Sequence, residues 1–350
     1  MPPSDKPLPG NDTPPHPGAL AEPRRIGFLL IPDFALMAYA SAIEPYRAAN
    51  TLAGRTLYTW QHVSPDGKPV LASNGVAVVP DQGIEKPLAV DDLFVCAGGN
   101  PAAFEHPATF AWLRAQAKRG GRIGGVSGGP FLLAKAGLLT GRRCTAHWEH
   151  VPAIAEAFPK LNLTGSLFEV DRDRCTCSGG TAPLDMMVAL IRERHGRALA
   201  HAVSEWFLHT EVRAPSAPQR MSLQARYGVT HRALLAALEA MQAALEEPLP
   251  REVLAARGGV SVRQLERLFR AHLCTSVGAH YLGLRLDRAR QLLRQTGMSV
   301  LEVGTACGFV SAAHFSRAYR ARYGVPPRSE RSPEDKSMAL TDNSRPPRPR

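Results

Sequence analysis

Arg122-Ile123-Gly124-Gly125-Val126-Ser127-Gly128-Gly129-Pro130-Phe131-Leu132-Leu133-Ala134-Lys135-Ala136 decides the reading of the first part of the chain. Arg122–Val126 is a short run suited to a buried strand, and it stops at Ser127-Gly128-Gly129. Pro130, with φ fixed near the helical value and no N–H to lose, opens a helical stretch through Ala136. The unit is strand, tight turn, helix. Outward from it the same alternation repeats. Strand candidates are Ile26–Ile31, Val76–Val79, Asp92–Ala97 (running into Gly98-Gly99), Arg143–His147, Leu167–Val170 and Cys175–Cys177; helical patterns cover Ala35–Leu52, Ala108–Arg119 and Pro183–Arg194. Strands alternating with helices predict an α/β domain with a mostly parallel sheet covered on both faces. Ligands of such sheets bind at the carboxyl ends of the strands, where both glycine pairs fall.

Around Glu211–Gln219 the periodicity breaks at Pro215 and Pro218, which marks a linker. Beyond it only helices are expected. Residues 1–24, with eight prolines, read as a disordered arm, and 329–350 as a disordered tail. The expected organisation is therefore an arm (1–24), an α/β domain (25–212), a linker (213–229), an all-α domain (230–328) and a tail (329–350).

Charge separates the two domains. The whole chain of 350 residues carries +11. Residues 25–218 hold 19 basic and 17 acidic side chains, a net of +2, whereas 219–330 hold 16 Arg, no Lys and 8 acidic residues, a net of +8. A basic domain beside a near-neutral one suggests a nucleic-acid binder joined to something else. The longest apolar runs fall far short of the roughly 20 residues that a membrane span needs, and the Pro-rich start lacks the apolar core of a signal peptide. A cytoplasmic protein without membrane contact is expected. Six cysteines are too few for a disulfide scaffold, and the lone Cys175-Thr176-Cys177 lacks a partner pair, so neither metal nor cofactor is expected.

In the basic region two segments share one plan. Glu252–Arg257 is a short helix, Gly258-Gly259 a turn, and Ser261 an N-cap for a helix through His272. Ser299 then caps a helix through Ala306, Gly308 turns, and Ser311 caps a helix through Arg322. Val277–Arg294 links the pairs. Leu265, Leu268 and Phe269 on one side, and Phe315, Ala318 and Tyr319 on the other, leave arginines outward, as a helix entering the major groove requires. Leu284–Leu293 and Gly308–Arg320 resemble AraC/XylS-type transcription regulators over roughly residues 230–328, apart from Cys274 where Gly is usual and Val277 where Pro is frequent. That resemblance implies that Arg263, Glu266, Arg267, Ala313, Ser316 and Arg317 face the bases of duplex DNA.

Gly125-Val126-Ser127-Gly128-Gly129 is literally a G-x-S-x-G nucleophile elbow. A serine hydrolase or amidase using Ser127 would need an acid and then a histidine, and Asp171 or Asp173 with His195, His201 or His209 satisfies that order on paper. The surroundings point elsewhere. Asp92–Gly99, Gly125–Gly141, Thr145–Trp148 and Thr176–Thr181 resemble the PfpI-type domain, a class I glutamine-amidotransferase-like fold, and its fusion to an AraC-type module resembles the GlxA-type regulators. The resemblance places a Cys nucleophile where this chain has Ser127 and an acid where it has Ala38. A hydroxyl without a positioned base is a poor nucleophile, so the site reads as a degenerate, non-enzymatic sensor.

Phe34, Gly99, Ser127, Gly128, Gly129, His147 and Trp148, with Tyr39 nearby, are the candidate ligand-binding residues. Aromatic faces attract a cationic head, and amides at a helix start attract a carboxylate. Thr176–Met187 and Ala40–Asn50 are similar to regulators of betaine, carnitine and arginine metabolism, which implies an amine-bearing metabolite as effector. The family resemblance also implies a homodimer and contact with RNA polymerase.

Overall fold

The computed structural model describes residues 22–331. β1 (Arg24–Leu30), α1 (Leu36–Ala53) and β2 (Tyr58–Ser64) open the chain. A small hairpin of β3 (Val70–Leu71) and β4 (Ala77–Val78) precedes the two-residue strand β5 (Gln82–Gly83). β6 (Asp92–Ala97), a 3₁₀ turn at Pro101–Ala103, α2 (Pro107–Lys118), β7 (Arg122–Ser127) and α3 (Gly129–Lys135) follow. β8 (Arg143–Cys144) pairs with β9 (Asn162–Leu163) on either side of α4 (Val151–Ala157). β10 (Phe168–Asp171) and β11 (Arg174–Cys177) form a hairpin, and α5 (Ala182–His195) and α6 (Arg197–Trp206) follow.

The main sheet runs β10-β11-β7-β6-β1-β2-β5 and is parallel except at the β10–β11 pair. Every residue of central β6 is buried, as a strand covered on both faces requires. One face packs Phe28, Leu30 and Phe94 on Tyr46 of α1 and on Met186 and Ile191 of α5. The other packs Leu29, Val95 and Ile123 on Leu113 of α2, Leu132 of α3 and Ile154 of α4. Each such side chain contributes about 1.5–3 kcal/mol by leaving water. The start of α3 lies so close to the sheet that a Cβ on Gly129 would stand 2.0 Å from the Val95 carbonyl oxygen.

Several expectations need correction. The strand expected at Val76–Val79 is the two-residue β4, which pairs with β3 in an outlying hairpin and not in the main sheet, and Val76 and Val79 are exposed. Tyr58–Ser64, which the apolar-run criterion passes over, is β2. Its side chains alternate in character because the strand lies near the sheet edge. Arg24, placed in the arm, begins β1 and clamps Asp92 with two hydrogen bonds of 2.6 Å. The remainder of the arm, 1–21, and most of the tail, 332–350, lie outside the described residues.

The linker is anchored to the α/β domain. Arg213 binds the fully buried Asp185 through its backbone N–H and its guanidinium, and His209 Nε2 is 2.8 Å from the same carboxylate. The Pro215 carbonyl accepts from the N–H groups of Leu167 and Phe168, and Ser166 bridges to Pro218. This stretch therefore lies along the outer edge of β10. Gln219 donates through Nε2 to Thr145 Oγ1, Ala146 O and Ser166 O.

From α7 (Leu223–Tyr227) onward the described chain is helical: α8 (Arg232–Ala243), α9 (Arg251–Arg257), α10 (Val262–Leu273), α11 (Val277–Gln295), α12 (Val300–Ala306), α13 (Ala312–Tyr323) and a 3₁₀ turn at Pro327–Arg331. The first half of α11 closes a core with Leu238, Leu254, Leu265 and Phe269, and its second half closes another with Val303, Phe309, Phe315 and Tyr319. Glu330, placed in the tail, is buried between Arg290 and Arg294 at 2.9 and 2.6 Å.

Candidate functional site

At the carboxyl end of β7, Ser127 has φ 60°, a left-handed conformation that strains a non-glycine residue and is stored at sites of function. Its side chain lies under the Gly179-Gly180 turn; a Cβ on Gly179 would stand 2.9 Å from Ser127 Oγ. The Ser127 carbonyl accepts from the His147 N–H at 3.3 Å, which ties the His147-Trp148-Glu149-His150 segment to the elbow.

None of the acid–histidine pairs expected from sequence is assembled around the hydroxyl. Asp171 binds the Arg143 N–H and Arg172, and Asp173 pairs with Arg142 and Arg174. His195 packs edge-on against Tyr58, His201 is exposed, and His209 is held by Asp185. Ala38 puts a buried methyl at the acid's position. Ser127 Oγ makes no hydrogen bond among the described residues.

The candidate ligand residues divide. Phe34 is 0% exposed and stands edge-on to Tyr39 inside the core. Gly99, at φ 55°, packs against Asp33, and the Cα of Gly129 faces β6. Gly128, His147 and Trp148 do gather at the elbow. Trp148 is 38% exposed, and the Arg220 guanidinium lies 4.4 Å from its ring centroid. The aromatic face expected to attract a cation thus holds one from the chain's own linker. Burial depresses the pKa of His147, opposed by Glu149.

The residue missed from sequence is His150. It is 3% exposed, its Nε2 would lie 3.2 Å from a Cβ on Gly128, and its Nδ1 is 3.2 Å from Gln295 Oε1 of α11. Burial first, then His147, pulls its pKa down to about 4 against the opposing hydrogen bond to the Gln295 carbonyl oxygen, so the ring is neutral at neutral pH. Gln291 of α11 donates to the Glu149 carbonyl at 2.6 Å. His150 stands one helical turn after His147, but nothing in the sequence links it to a glutamine 145 residues away. A separate cleft of about 340 Å³ opens at the opposite, amino-terminal end of the strands, where Arg24 and Arg122 are paired with Asp92 and Glu193.

In the helical region, Ser261 caps α10 in a reciprocal box with Gln264, and Ser311 caps α13 through the His314 N–H. Arg263, Arg267, Ala313 and Arg317 are exposed on these helices, and Ser316 is half-buried. Glu266 differs: its carboxylate accepts from the Val277 N–H at the start of α11 and pairs with Arg251. Arg285 stacks 4.2 Å from the Phe309 ring centroid and donates to the carbonyls of Cys307 and Gly308. It braces the second turn, where Gly308 has φ 74° and a Cβ would meet Pro248 at 2.7 Å.

A strained elbow on a parallel sheet, joined to two capped helix pairs with outward arginines, defines a sensor-type domain fused to a DNA-binding module. Residues 25–193 match the DJ-1/PfpI family and 254–332 a helix-turn-helix domain. The chain is 47% identical over 309 residues to the HTH-type transcriptional regulator GbdR of Pseudomonas aeruginosa, covering 88% of this chain and 84% of that one. It is 48% identical to the HTH-type transcriptional regulator CdhR of the same species, over 87% of this chain and 90% of that one. A crystal structure of an AraC family transcriptional regulator from Pseudomonas putida is similar over 53% of this chain and 100% of its own, with 27% identity and a TM-score of 0.48. The protein belongs to the AraC-family helix-turn-helix regulators with an amino-terminal DJ-1/PfpI domain.

Proposed function

We propose that this regulator binds a small amine-bearing or amino-acid-like metabolite at the Ser127 elbow and reads operator DNA with α10 and α13. The observation that carries the reading is the exposed Arg263, Arg267 and Arg317 on two capped helices joined by α11, which spans roughly 28 Å at 1.5 Å per residue. That span suits successive major grooves about one helical turn apart, with Arg267 and Arg317 at base edges and neighbouring arginines on phosphates. A homodimer, contact with RNA polymerase and a cytoplasmic setting complete the proposal. Trp148 already carries the Arg220 guanidinium on its ring, so an amine-bearing effector there takes the place of that cation.

The test is a thermal-shift screen of the full chain against glycine betaine, carnitine and L-arginine, coupled to anisotropy on an operator selected from random duplexes. Ligand at 100-fold excess over its dissociation constant raises apparent stability by about 2.7 kcal/mol. A binder that also changes operator affinity supports the reading; no change in either measurement overturns it. A hydrolase using Ser127 predicts stoichiometric labelling by a fluorophosphonate and ester or amide turnover lost in Ser127→Ala. The sensor reading predicts neither, since Asp171, Asp173, His195, His201 and His209 all lie engaged elsewhere or on the surface.

A further inference from the structure

The sensor and DNA-binding domains touch through one face of α11. Gln291 and Gln295 lie one turn apart on it, and they meet Glu149 and His150 at the start of α4. Arg288, a turn earlier on the same face, is half-buried, and Glu156 of α4 is among the charges it feels. Gln295 is itself buried although it is a long polar side chain near a helix end, a placement that demands a partner. That partner is a histidine whose other edge is packed on the elbow glycine.

The chemistry of the ring fixes which edge does what. Gln295 presents its carbonyl oxygen, which can only accept, so the neutral His150 must carry its proton on Nδ1. Nε2 is left as a bare acceptor, and it is this atom that faces Gly128. A Cβ on Gly128 would already meet the His150 ring and the Ala97 carbonyl at 3.2–3.3 Å, so a molecule that enters beside Gly128 must push the ring aside, and any movement of a planar ring moves both nitrogens together.

We propose that His150 is the relay between the effector site and the DNA-binding domain: a small molecule seated against Gly128 displaces the ring, breaks its hydrogen bond to Gln295 and releases α11 from α4. The relay rests on the effector reading given above. Arg263, Arg267 and Arg317 are exposed while α11 is docked. The contact therefore governs how the DNA-reading helices are held relative to the sensor, and leaves each of them open to DNA. This makes the contact a two-state element that effector binding biases, and the coupling is reciprocal: whatever loosens α11 also favours the effector-bound sensor.

Amide hydrogen exchange on the full chain tests this, read at residues 151–157 and 288–295, with the β6 and β7 amides as internal control. Gln295→Leu breaks the contact from the DNA-binding side without touching the sensor. Without any ligand it should speed exchange of both segments roughly tenfold, the scale of one or two lost hydrogen bonds, and leave β6 and β7 unchanged. Glycine betaine, carnitine or L-arginine, whichever raises the thermal transition, should produce the same acceleration in the wild type. In Gln295→Leu the chosen compound should still raise the transition and produce no further acceleration. A compound that binds the wild type and leaves both segments unchanged overturns the relay while the effector reading stands. If none of the three binds, the effector reading falls, and the ligand-free Gln295→Leu arm still decides: unchanged exchange overturns the relay and faster exchange supports it.

Discussion

The two helix-turn-helix units share a plan but are held together differently. The first is fastened by carboxylate and caps: Glu266 joins α10 to the start of α11 and to Arg251, and Ser261 caps α10 reciprocally with Gln264. The second is fastened by arginines. Arg285 braces its turn, Arg290 and Arg294 enclose Glu330, and Arg322 pairs with Asp287. Arginine in this domain is thus two populations, one spent inside the second unit and one left exposed on the recognition helices. A net charge of +8 overstates how many cations DNA meets.

The largest test of this contrast removes a core ring from each unit. Phe269→Ala and Phe315→Ala should each cost about 3–5 kcal/mol. Because the rings lie in separate clusters, each loss should appear as faster hydrogen exchange in its own unit, and the double variant should be close to additive. Uniform loss across both units would show that they unfold as one. Next, Arg285→Ala should cost about 1.5–3 kcal/mol in chemical denaturation, since hydrogen bonds from a charged donor are the stronger kind. Exchange should accelerate at residues 300–323 and stay unchanged at 251–273.

Smaller still are the effects on DNA. Arg267→Ala and Arg317→Ala should each weaken operator binding by about 1–3 kcal/mol if each reads a base, as measured by anisotropy. Glu266→Gln should change stability more than base preference, because its carboxylate is already engaged by Val277 and Arg251. A changed base preference in that variant would return Glu266 to the DNA-facing set. The smallest contrast is in the caps. Ser261→Ala should cost about 1 kcal/mol, and Ser311→Ala, which lacks the reciprocal partner, toward 0.5 kcal/mol.

The same physics explains what could be read from sequence. The helical module was legible almost residue by residue: Ser261, Ser299 and Ser311 are all N-caps, and α10 and α13 end within a residue of the expected bounds. Helix periodicity and capping are local, so a short window contains the information. β1, β6 and β7 were legible because buried central strands are continuous apolar or small-residue runs. β2 was not, since Thr59, Gln61 and His62 interrupt it, and Val76–Val79 marked β4 without its place outside the main sheet, because an apolar run does not say what will cover it. At the site, the elbow and Trp148 were visible from motif and resemblance. Phe34 stayed ambiguous, because a ring near a site and a ring in the core look alike in sequence; here it is buried. His150, Gln219, Arg220 and Gln295 escaped because their roles exist only through contacts made across the tertiary structure.

One feature of the linker bears on how this protein can be divided. A sheet edge with unpaired N–H and C=O groups is an invitation to pair with another chain, and here residues 215–218 lie against the edge at β10, with prolines that have no N–H to offer onward. The opposite edge is only the two-residue β5. A sensor fragment cut at residue 212 would uncover the β10 edge and leave Thr145, Ala146 and Ser166 without Gln219. One that ends after Arg220 keeps its own edge guard, and the natural cleavage point for separating the domains is the stretch just before Leu223.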